Sequence, residues 1–259
     1  MRENYLYHYK RRDKHVYVPT PECERRGDTL LKFGATLMLP DYFFHYRRGG
    51  HVKALHHHIN NTHFFRIDLK NFFYSISRNR VNRVLRAYGF PKNARTYAEW
   101  STVRNPYGGG PRYSLPIGFR QSPLLASLAL HRSSVASAIE DAISRGVLVS
   151  VYFDDLVGSS SNPRALEVTY DGILDACVQA NLVANLDKLL KPAAAIVAFN
   201  CNVRFGHTSV TAERFKKFEA TDPSPAAISA FLAYCYRVEN FNHAVGSDVE
   251  AALGSRPAL

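Results

Sequence analysis

Residues 146–161 read Gly-Val-Leu-Val-Ser-Val-Tyr-Phe-Asp-Asp-Leu-Val-Gly-Ser-Ser-Ser, and the adjacent aspartates Asp154 and Asp155 decide the fold. The apolar, β-branched runs on either side of this pair are typical of two strands joined by a tight turn. Two adjacent carboxylates cannot simply be absorbed into a packed core. A plain Asp-Asp turn is one interpretation, because Asp hydrogen-bonds its own backbone in turns. The other is a metal site at the tip of a hairpin.

A second apolar segment delivers another aspartate. Residues 63–76 read His-Phe-Phe-Arg-Ile-Asp-Leu-Lys-Asn-Phe-Phe-Tyr-Ser-Ile, which predicts a strand that ends at Asp68 and a compact aromatic turn after it. Three carboxylates on neighbouring strands repel one another strongly unless divalent cations lie between them. Hard oxygen ligands with open positions suit Mg²⁺. The sequence therefore favours a magnesium site over a plain turn.

Four motifs in a fixed order resemble the palm motifs of reverse transcriptases. They are Asp68 in a DLKNFF context, LPIGFRQSP at 115–123, YFDD at 152–155 and NLDK at 185–188. The resemblance covers roughly residues 40–205 and is closest to the bacterial retron and phage-defence branch. It implies an RNA-directed DNA polymerase, a nucleotidyltransferase that acts in a bacterial antiphage defence system.

The resemblance implies an α+β fold. This is the right-hand polymerase palm, an antiparallel sheet with helices on one face, together with reduced fingers and a short helical thumb-like C-terminus. The implied regions are 1–62 (fingers-like), 63–205 (reverse transcriptase palm with inserted fingers elements) and 206–259 (thumb-like). Residues 1–62 contain no clear basic strand–turn–strand signature. The charges after residue 205 nearly cancel, although a thumb that follows duplex phosphates should be basic.

The resemblance also assigns the catalytic residues. Asp68, Asp154 and Asp155, together with the Leu69 carbonyl, would hold two Mg²⁺ ions, for which Mn²⁺ can substitute. Lys188 would protonate or neutralise the departing pyrophosphate, and an ordinary helix terminus is the alternative interpretation of this lysine.

Substrate contacts are implied in the same way. Phe73 would lie beneath the sugar and exclude a 2′-hydroxyl, with burial in the core as the alternative. Gly118 would let the backbone approach the incoming base and template closely. Arg120 and Gln121 would contact template or triphosphate, or else face solvent. The full set of implied substrate-binding residues is Leu69, Phe73, Gly118, Arg120, Gln121 and Tyr152.

Patterns elsewhere predict the supporting elements. Residues 77–88 have the spacing of an amphipathic helix, and residues 164–180 predict another. Gln121-Ser122-Pro123 should open one long helix through about Ser144, with Ser122 as N-cap. Residues 195–201 predict a buried strand. The consecutive histidines at 56–58 point in different directions on any regular element, so they do not form a ligand set.

Composition indicates the partners and the compartment. The chain has 33 basic and 22 acidic residues, a net charge of +11 that favours a polyanionic partner. The expected partners are an RNA template, a DNA product and dNTPs. Four scattered cysteines indicate neither a zinc site nor a disulfide framework. No apolar run is long enough to span a bilayer and no signal peptide is evident, so we expect no membrane association and a cytoplasmic location.

The weak thumb suggests an assembly and leaves other functions open. A non-coding RNA, a partner protein or further copies of the chain would supply what the thumb lacks. Residues 226–236 predict an apolar helix that either docks on its own palm or leaves an interface open. The alternatives are template-independent or protein-primed DNA synthesis on the same palm, or a nucleic-acid-binding subunit of a larger assembly. The presence of all three aspartates argues against a subunit that only binds nucleic acid, because such a protein gains nothing from uncompensated buried charge.

Overall fold

The computed structural model describes residues 3–240, a mixture of short helices and antiparallel strands. The helices are α1 (Pro21–Gly34), α2 (Gly50–His58), α3 (Phe72–Ser75), α4 (Arg78–Ala87), α5 (Ala94–Trp100), α6 (Ser122–His131), α7 (Ser134–Ser144), α8 (Pro163–Gln179), α9 (Ala212–Glu219) and α10 (Pro225–Glu239). The strands are β1 (Tyr5–Arg11), β2 (Lys14–Pro19), β3 (His63–Asp68), β4 (Val103–Arg104), β5 (Tyr113–Ser114), β6 (Leu148–Tyr152), β7 (Asp155–Ser160), β8 (Leu190–Ala193), β9 (Ala195–Ala198), β10 (Cys201–Arg204) and β11 (His207–Val210). None of the helices in this part of the chain is long and apolar enough to cross a membrane.

The chain divides into two compact units. The first unit comprises Met1–Pro40, Leu69–Ala138 and Asp175–Ala184, and the second comprises Asp41–Asp68, Ile139–Leu174 and Asn185–Leu259. These units cut across the linear regions expected from the sequence, since residues 41–62 belong with the second unit. The thumb-like assignment of residues 241–259 lies outside the described residues.

The central sheet of the second unit has the strand order β6-β7-β3-β8 and is antiparallel throughout. Helices cover both of its faces. Phe64 packs with Leu55 of α2 on one face, and the Phe65 ring packs edge-on against Tyr170 of α8 on the other. Both phenylalanines are fully buried because successive side chains of a strand point to opposite faces. The predicted antiparallel palm sheet is confirmed, but the helices expected on one face lie on both, because β3 carries buried apolar side chains on each face.

His58 fastens α2 to the acidic hairpin. Its Nε2 lies 2.8 Å from Ser150 Oγ on β6, and its Nδ1 lies 2.8 Å from Ser159 Oγ on β7. Asn61 donates a further hydrogen bond of 2.9 Å to Ser159 Oγ. Complete burial lowers the pKa of His58 well below its ordinary value, so the ring is neutral, with one nitrogen donating and the other accepting.

A smaller sheet, β9-β10-β11, supports the C-terminal helix within the second unit. Phe231, Cys235 and Val238 of α10 are buried in the cluster that also holds Val203. Helix α10 therefore docks on the core of its own unit, which is one of the two interpretations of the helix predicted at 226–236. Ile228 and Leu232 are exposed, because the buried stripe follows positions 231, 235 and 238. The predicted strand at 195–201 is interrupted by a turn in which Phe199 and Asn200 have positive φ.

The first unit begins with a basic hairpin that the sequence pattern did not reveal. Strands β1 and β2 pair antiparallel from Tyr5–Pro19 to Arg11–Lys14, with Arg12 at positive φ in the turn. The expectation that residues 1–62 lack a basic strand–turn–strand unit was wrong. Its aromatic and basic side chains gave no clear strand pattern in the sequence, because strand propensity depends on the packing of neighbouring side chains.

The helical predictions for the first unit need one correction. Ser77 caps α4 by accepting a hydrogen bond from the Arg80 amide, as expected for this helix. The single helix predicted from 121 to 144 is instead two helices, α6 and α7, which break at Arg132 and Ser133. Gln121 occupies the N-cap position of α6 and Ser122 is already helical, so Ser122 does not act as the cap.

Candidate active site

Two of the three aspartates lie side by side at one end of the central sheet. Asp68 is the last residue of β3, and its cross-strand partner is Asp155, the first residue of β7. Directly opposed residues on one face have side chains within about 5 Å of each other. Asp68 is buried, and Asp155 is only 16% exposed at its side chain. Asp154 precedes Asp155 in the turn between β6 and β7.

Arg66 compensates part of this negative charge. It lies two residues before Asp68 on β3 and therefore on the same face. Its Nε donates to Asp155 Oδ1 at 2.8 Å, and its Nη2 lies 2.7 Å from the same oxygen and 3.9 Å from Asp68 Oδ2. Burial nevertheless raises the pKa of Asp155 to about 6, because Arg66 offsets the desolvation only in part and Asp154 and Asp68 add like charge.

Asp68 is held by two residues of the last palm motif. Asn185 Nδ2 donates to Asp68 Oδ1 at 2.9 Å, and the Asn185 amide donates to the Asp68 carbonyl at 2.8 Å. Lys188 Nζ lies 3.3 Å from Asp68 Oδ2, while its side chain remains 51% exposed. The structure therefore brings Lys188 to the carboxylates, as an ammonium that contacts Asp68 on one side and solvent on the other.

The turn that presents Asp154 has an unusual backbone. Phe153 has a φ of +55°, in the left-handed region that a bulky residue rarely adopts. Its amide donates to His45 Nδ1 at 3.3 Å, and the His45 ring packs on the Phe153 ring with a centroid distance of 4.5 Å. Burial lowers the pKa of His45 to about 4, which keeps the ring neutral. Nδ1 accepts from the Phe153 amide in the tautomer that carries its proton on Nε2, whereas the other tautomer would donate from Nδ1 to the Val151 carbonyl, 3.4 Å away.

Tyr152 closes the apolar side of the turn. Its ring makes edge contacts with His51 and Phe199, at centroid distances of 5.8 and 5.4 Å, and it lies beside Gly50. Burial raises the pKa of its hydroxyl. Contacts with aromatic side chains of the second unit thus hold the start of the turn in place.

The donor set fits a divalent cation by its chemistry. Among the described residues, no three His, Cys, Asp or Glu side chains converge closely enough to hold an ion. The opposed carboxylates of Asp68 and Asp155 are nevertheless hard oxygen donors of the kind that Mg²⁺ prefers. Burial is the main cause of the raised pKa of Asp155, and Arg66 offsets it only in part. A bound cation would compete with Arg66 and Lys188 for these oxygens.

Five of the expected substrate residues lie in the first unit, among them Leu69, Phe73 and Gly118. Leu69 is buried and forms an isolated bridge with Ala184. Phe73, on α3, is half-buried, whereas its neighbour Phe72 is buried in the core. Gly118 has a φ of +108°, and a Cβ there would lie 2.1 Å from the Tyr17 carbonyl. This glycine thus allows close approach of the protein's own hairpin.

Arg120 lies at the surface, which is one of the two environments expected for it, whereas Gln121 has neither. Arg120 Nη1 lies 3.0 Å from Asp28 Oδ1, so its charge is already paired on the surface of the first unit. Gln121 is 1% exposed, and its Nε2 donates to Ser101 Oγ at 3.4 Å and Cys23 Sγ at 3.7 Å. Gln121 was expected either to contact substrate or to face solvent, and its burial against the first helix supports neither.

Sequence reasoning missed two residues that shape the site. Arg66 could have been found from its position two residues before Asp68, which puts a cation on the same strand face as a carboxylate. His45 gave no signal, because its contact with Phe153 joins residues 108 apart in the chain. Of the predicted residues, Asp68, Asp155 and Lys188 come together at one end of the sheet, and Asp154 lies in the adjoining turn.

Comparisons with known proteins agree with this geometry. The family profile described as "Reverse transcriptase (RNA-dependent DNA polymerase)" matches residues 28–192, well over half of the chain. A curated relative, the "Retrovirus-related Pol polyprotein from type-2 retrotransposable element R2DM" of Drosophila melanogaster, is 27% identical over 158 residues. That match covers 53% of this chain and 14% of the relative's length.

Two solved structures resemble the fold. A telomerase from Candida albicans, in complex with a fragment of telomeric RNA, matches with a TM-score of 0.51 at 10% identity, over 74% of this chain and 39% of that chain. A foamy viral protease-reverse transcriptase in complex with double-stranded DNA matches with a TM-score of 0.45 at 15% identity, over 83% and 31%. The telomerase match supports the fold alone. In each comparison the chain spans well under half of the relative's length.

Proposed function

This chain belongs to the reverse transcriptase family, and on that premise we propose that it synthesises DNA from dNTPs on an RNA template. The observation that supports the proposal best is that Asp68 and Asp155 lie opposite each other on neighbouring strands. Asp154 lies in the adjoining turn, and the Lys188 ammonium contacts Asp68. Such a cluster of carboxylates destabilises the fold by itself, and bound cations would offset its negative charge.

In the proposed mechanism, Asp68 and Asp154 would hold two Mg²⁺ ions, with Asp155 and the Leu69 carbonyl assisting. The ions would sharpen the attacking 3′-hydroxyl and stabilise charge on the triphosphate and the leaving group. Arg66 keeps Asp155 oriented through its two contacts to one carboxylate oxygen. His45 accepts a hydrogen bond from the Phe153 amide and thereby orients the turn that presents Asp154.

Lys188 and Phe73 have separate proposed roles. The half-exposed Lys188 would turn its ammonium from Asp68 to the departing pyrophosphate, which it would protonate or neutralise. Half-buried Phe73 would place its ring against the sugar and reject a 2′-hydroxyl by steric conflict. Gly118 and Tyr152 would complete the nucleotide site through backbone and ring contacts. The burial of Gln121 and the ion pair of Arg120 give these two residues no direct role in the proposal.

Primer extension tests the proposed activity. Wild-type protein with Mg²⁺ should extend a DNA primer on an RNA template, and Asp154→Asn should lower the rate by at least about a hundredfold. Asp171→Asn, a matched change at an exposed position of α8, should leave the rate unchanged. Extension without template would favour template-independent synthesis. Equal rates for Asp154→Asn and wild type would reject the catalytic assignment.

The proposed setting is a bacterial antiphage system of the retron-like branch, with a non-coding RNA and a protein partner or further copies of the chain. The context of the palm motifs supports this setting. Phage should form fewer plaques on bacteria that express the wild-type protein with its neighbouring genes than on bacteria that express Asp154→Asn. Equal plating on both strains would count against a defence role.

A further inference from the structure

The β1–β2 hairpin of the first unit has one open edge. Strand β1 pairs with β2 and with no other strand of residues 3–240. At the other edge of the hairpin, the Tyr17 amide on β2 donates to the Ile117 carbonyl at 2.9 Å. Every residue of β1 from Leu6 to Arg11 is exposed. The outer edge of β1 is therefore accessible to a further strand.

The register of the hairpin shows which backbone groups lie at this edge. His8 is opposite Tyr17, whose amide points away from β1 toward Ile117. Both residues of such an antiparallel position turn their backbone groups outward, so the amide and carbonyl of His8 point away from β2. Lys10, two residues further along the strand, has the same orientation. Among residues 3–240, no other segment forms a backbone hydrogen bond with these two amides and two carbonyls.

Contacts at the turn and on β2 hold the hairpin in place. The Tyr74 hydroxyl donates to the His15 carbonyl at 2.5 Å, and the Tyr107 hydroxyl donates to the Asp13 carbonyl at 2.9 Å. All four of these residues belong to the first unit. An edge that is already ordered loses little conformational entropy when another strand joins it.

The side chains of the hairpin combine aromatic and basic groups. Tyr7 and Tyr9 lie on one face of β1, at 59% and 46% exposure, opposite two valines of β2. Residues 5–19 contain four basic residues and a single acidic one, Asp13. The basic residues, none of which forms an ion pair with a carboxylate of residues 3–240, are Lys10, Arg11, Arg12 and Lys14. A matching strand presents apolar side chains to the tyrosines and carboxylates to the basic residues.

Two other occupants match this edge less well. A second copy of the hairpin would bring like charges together, and edge strands use basic side chains and bulges, here the irregular pairing at Leu6, to prevent such self-pairing. The phosphates of a nucleic acid supply acceptors only and would leave the carbonyls of His8 and Lys10 without a donor. An extended peptide supplies donors and acceptors alternately along its length.

We infer that the outer edge of β1 binds an acidic, extended segment of a partner protein, which adds to the hairpin as a third strand. Main-chain hydrogen bonds to His8 and Lys10 supply affinity, while the tyrosine face and the basic side chains discriminate between sequences. The inference gives the proposed protein partner a docking surface. It does not depend on the proposed polymerase chemistry and requires neither metal nor dNTP.

Fluorescence anisotropy with a fluorescein-labelled, nine-residue peptide of alternating glutamate and valine tests the inference. The same peptide, N-methylated at every backbone amide, keeps the charge but cannot pair as a strand. His8→Pro removes an amide that points away from β2, a position at which an edge strand tolerates proline. His8→Ala is the matched control, since it removes the imidazole and keeps the amide. Thermal unfolding verifies that both variants fold, and the comparison of the two peptides on wild type requires no variant.

The unmethylated peptide should bind wild type at least about tenfold more tightly than the methylated one, because several main-chain hydrogen bonds are lost. His8→Pro should weaken its binding by about the same factor, and His8→Ala should stay within about twofold of wild type. Lys10→Ala/Arg11→Ala should weaken binding about fivefold. The matched pair Arg86→Ala/Arg104→Ala, which removes exposed arginines of the same unit outside the hairpin, should leave it unchanged.

Four results would overturn the inference. Equal binding of the two peptides would reduce the interaction to charge attraction, and no binding of the unmethylated peptide would exclude strand addition. Light scattering that finds a wild-type dimer and a His8→Pro monomer would make a second copy the occupant. Oligouridylate binding that falls in His8→Pro, with peptide binding unchanged, would assign the edge to nucleic acid. Because no assay involves catalysis, each outcome is independent of whether the protein extends a primer.

Discussion

Replacing Arg66 with methionine should destabilise the protein by leaving Asp155 and Asp68 with less positive charge near them. The guanidinium makes two contacts of 2.7 and 2.8 Å to one oxygen of Asp155, and both side chains are only 16–17% exposed. Breaking a buried ion pair by removing one partner costs about 3–5 kcal/mol. The residual exposure of this pair favours the lower end, a loss of about 3 kcal/mol in the free energy of unfolding.

The loss of unfolding free energy in Arg66→Met should be larger at high pH than at low pH. The pKa of Asp155 is already raised to about 6 in the folded protein, and Arg66→Met should raise it further. A carboxyl whose folded pKa exceeds its unfolded pKa binds protons more tightly when folded, so it destabilises the protein at high pH. The penalty should be largest at about pH 8 and should shrink as the pH falls through the folded pKa.

Urea unfolding followed by circular dichroism, at about pH 8 and about pH 5.5, measures both effects. Arg66→Met/Asp155→Asn should recover about half of the loss, because the unpaired carboxylate is then gone. Arg145→Met is the matched control, since it breaks an exposed pair with Asp141 on α7 and should cost about 0.5 kcal/mol. A loss no larger than that control at pH 8, or a double variant no more stable than Arg66→Met, would refute the reasoning.

Three further substitutions test residues of the proposed site and its scaffold. Lys188→Ala should lower the turnover rate of primer extension more than the affinity for dNTP, because its ammonium contacts Asp68, and a loss confined to affinity in single-turnover kinetics would make it a binding residue. Phe73→Val should shift the ratio of ribonucleotide to deoxynucleotide incorporation by about 1–3 kcal/mol, and an unchanged ratio in an active variant would assign Phe73 to the core. Gly118→Ala should lower the free energy of unfolding by about 1–3 kcal/mol, because its Cβ would lie 2.1 Å from the Tyr17 carbonyl, and a wild-type thermal midpoint would contradict this.

Local patterns explain which elements could be predicted from the sequence. The apolar, β-branched runs around Asp154 and Asp155 specify a hairpin, and the apolar run before Asp68 specifies its neighbour, because such runs are a local property of the sequence. The break between α6 and α7 was not predictable in the same way. His131, Arg132 and Ser133 include neither glycine nor proline, so no breaker marks the end of α6.

The remaining features depend on contacts between distant residues. Gly118 was expected to make room for substrate, whereas the atom nearest to its missing Cβ is the Tyr17 carbonyl, about 100 residues away along the chain. Gln121 was expected at a surface but is buried against α1 and Ser101, which no spacing in its own segment indicates. Residue types could therefore identify the candidate chemistry, while the partners of each side chain required the fold.

The buried ring of His58 has a consequence for how the chain selects the pairing of its strands. Sliding β7 past β6 in the direction that brings Gly158 or Val157 to the position of Ser159 would place no hydroxyl opposite His58. Such a misaligned hairpin would leave an imidazole nitrogen buried without a partner, at a cost of about 1–3 kcal/mol. The same sliding would separate Asp155 from Asp68, its present cross-strand partner. The buried ring of His58 thus penalises misaligned forms in which the carboxylates would not meet.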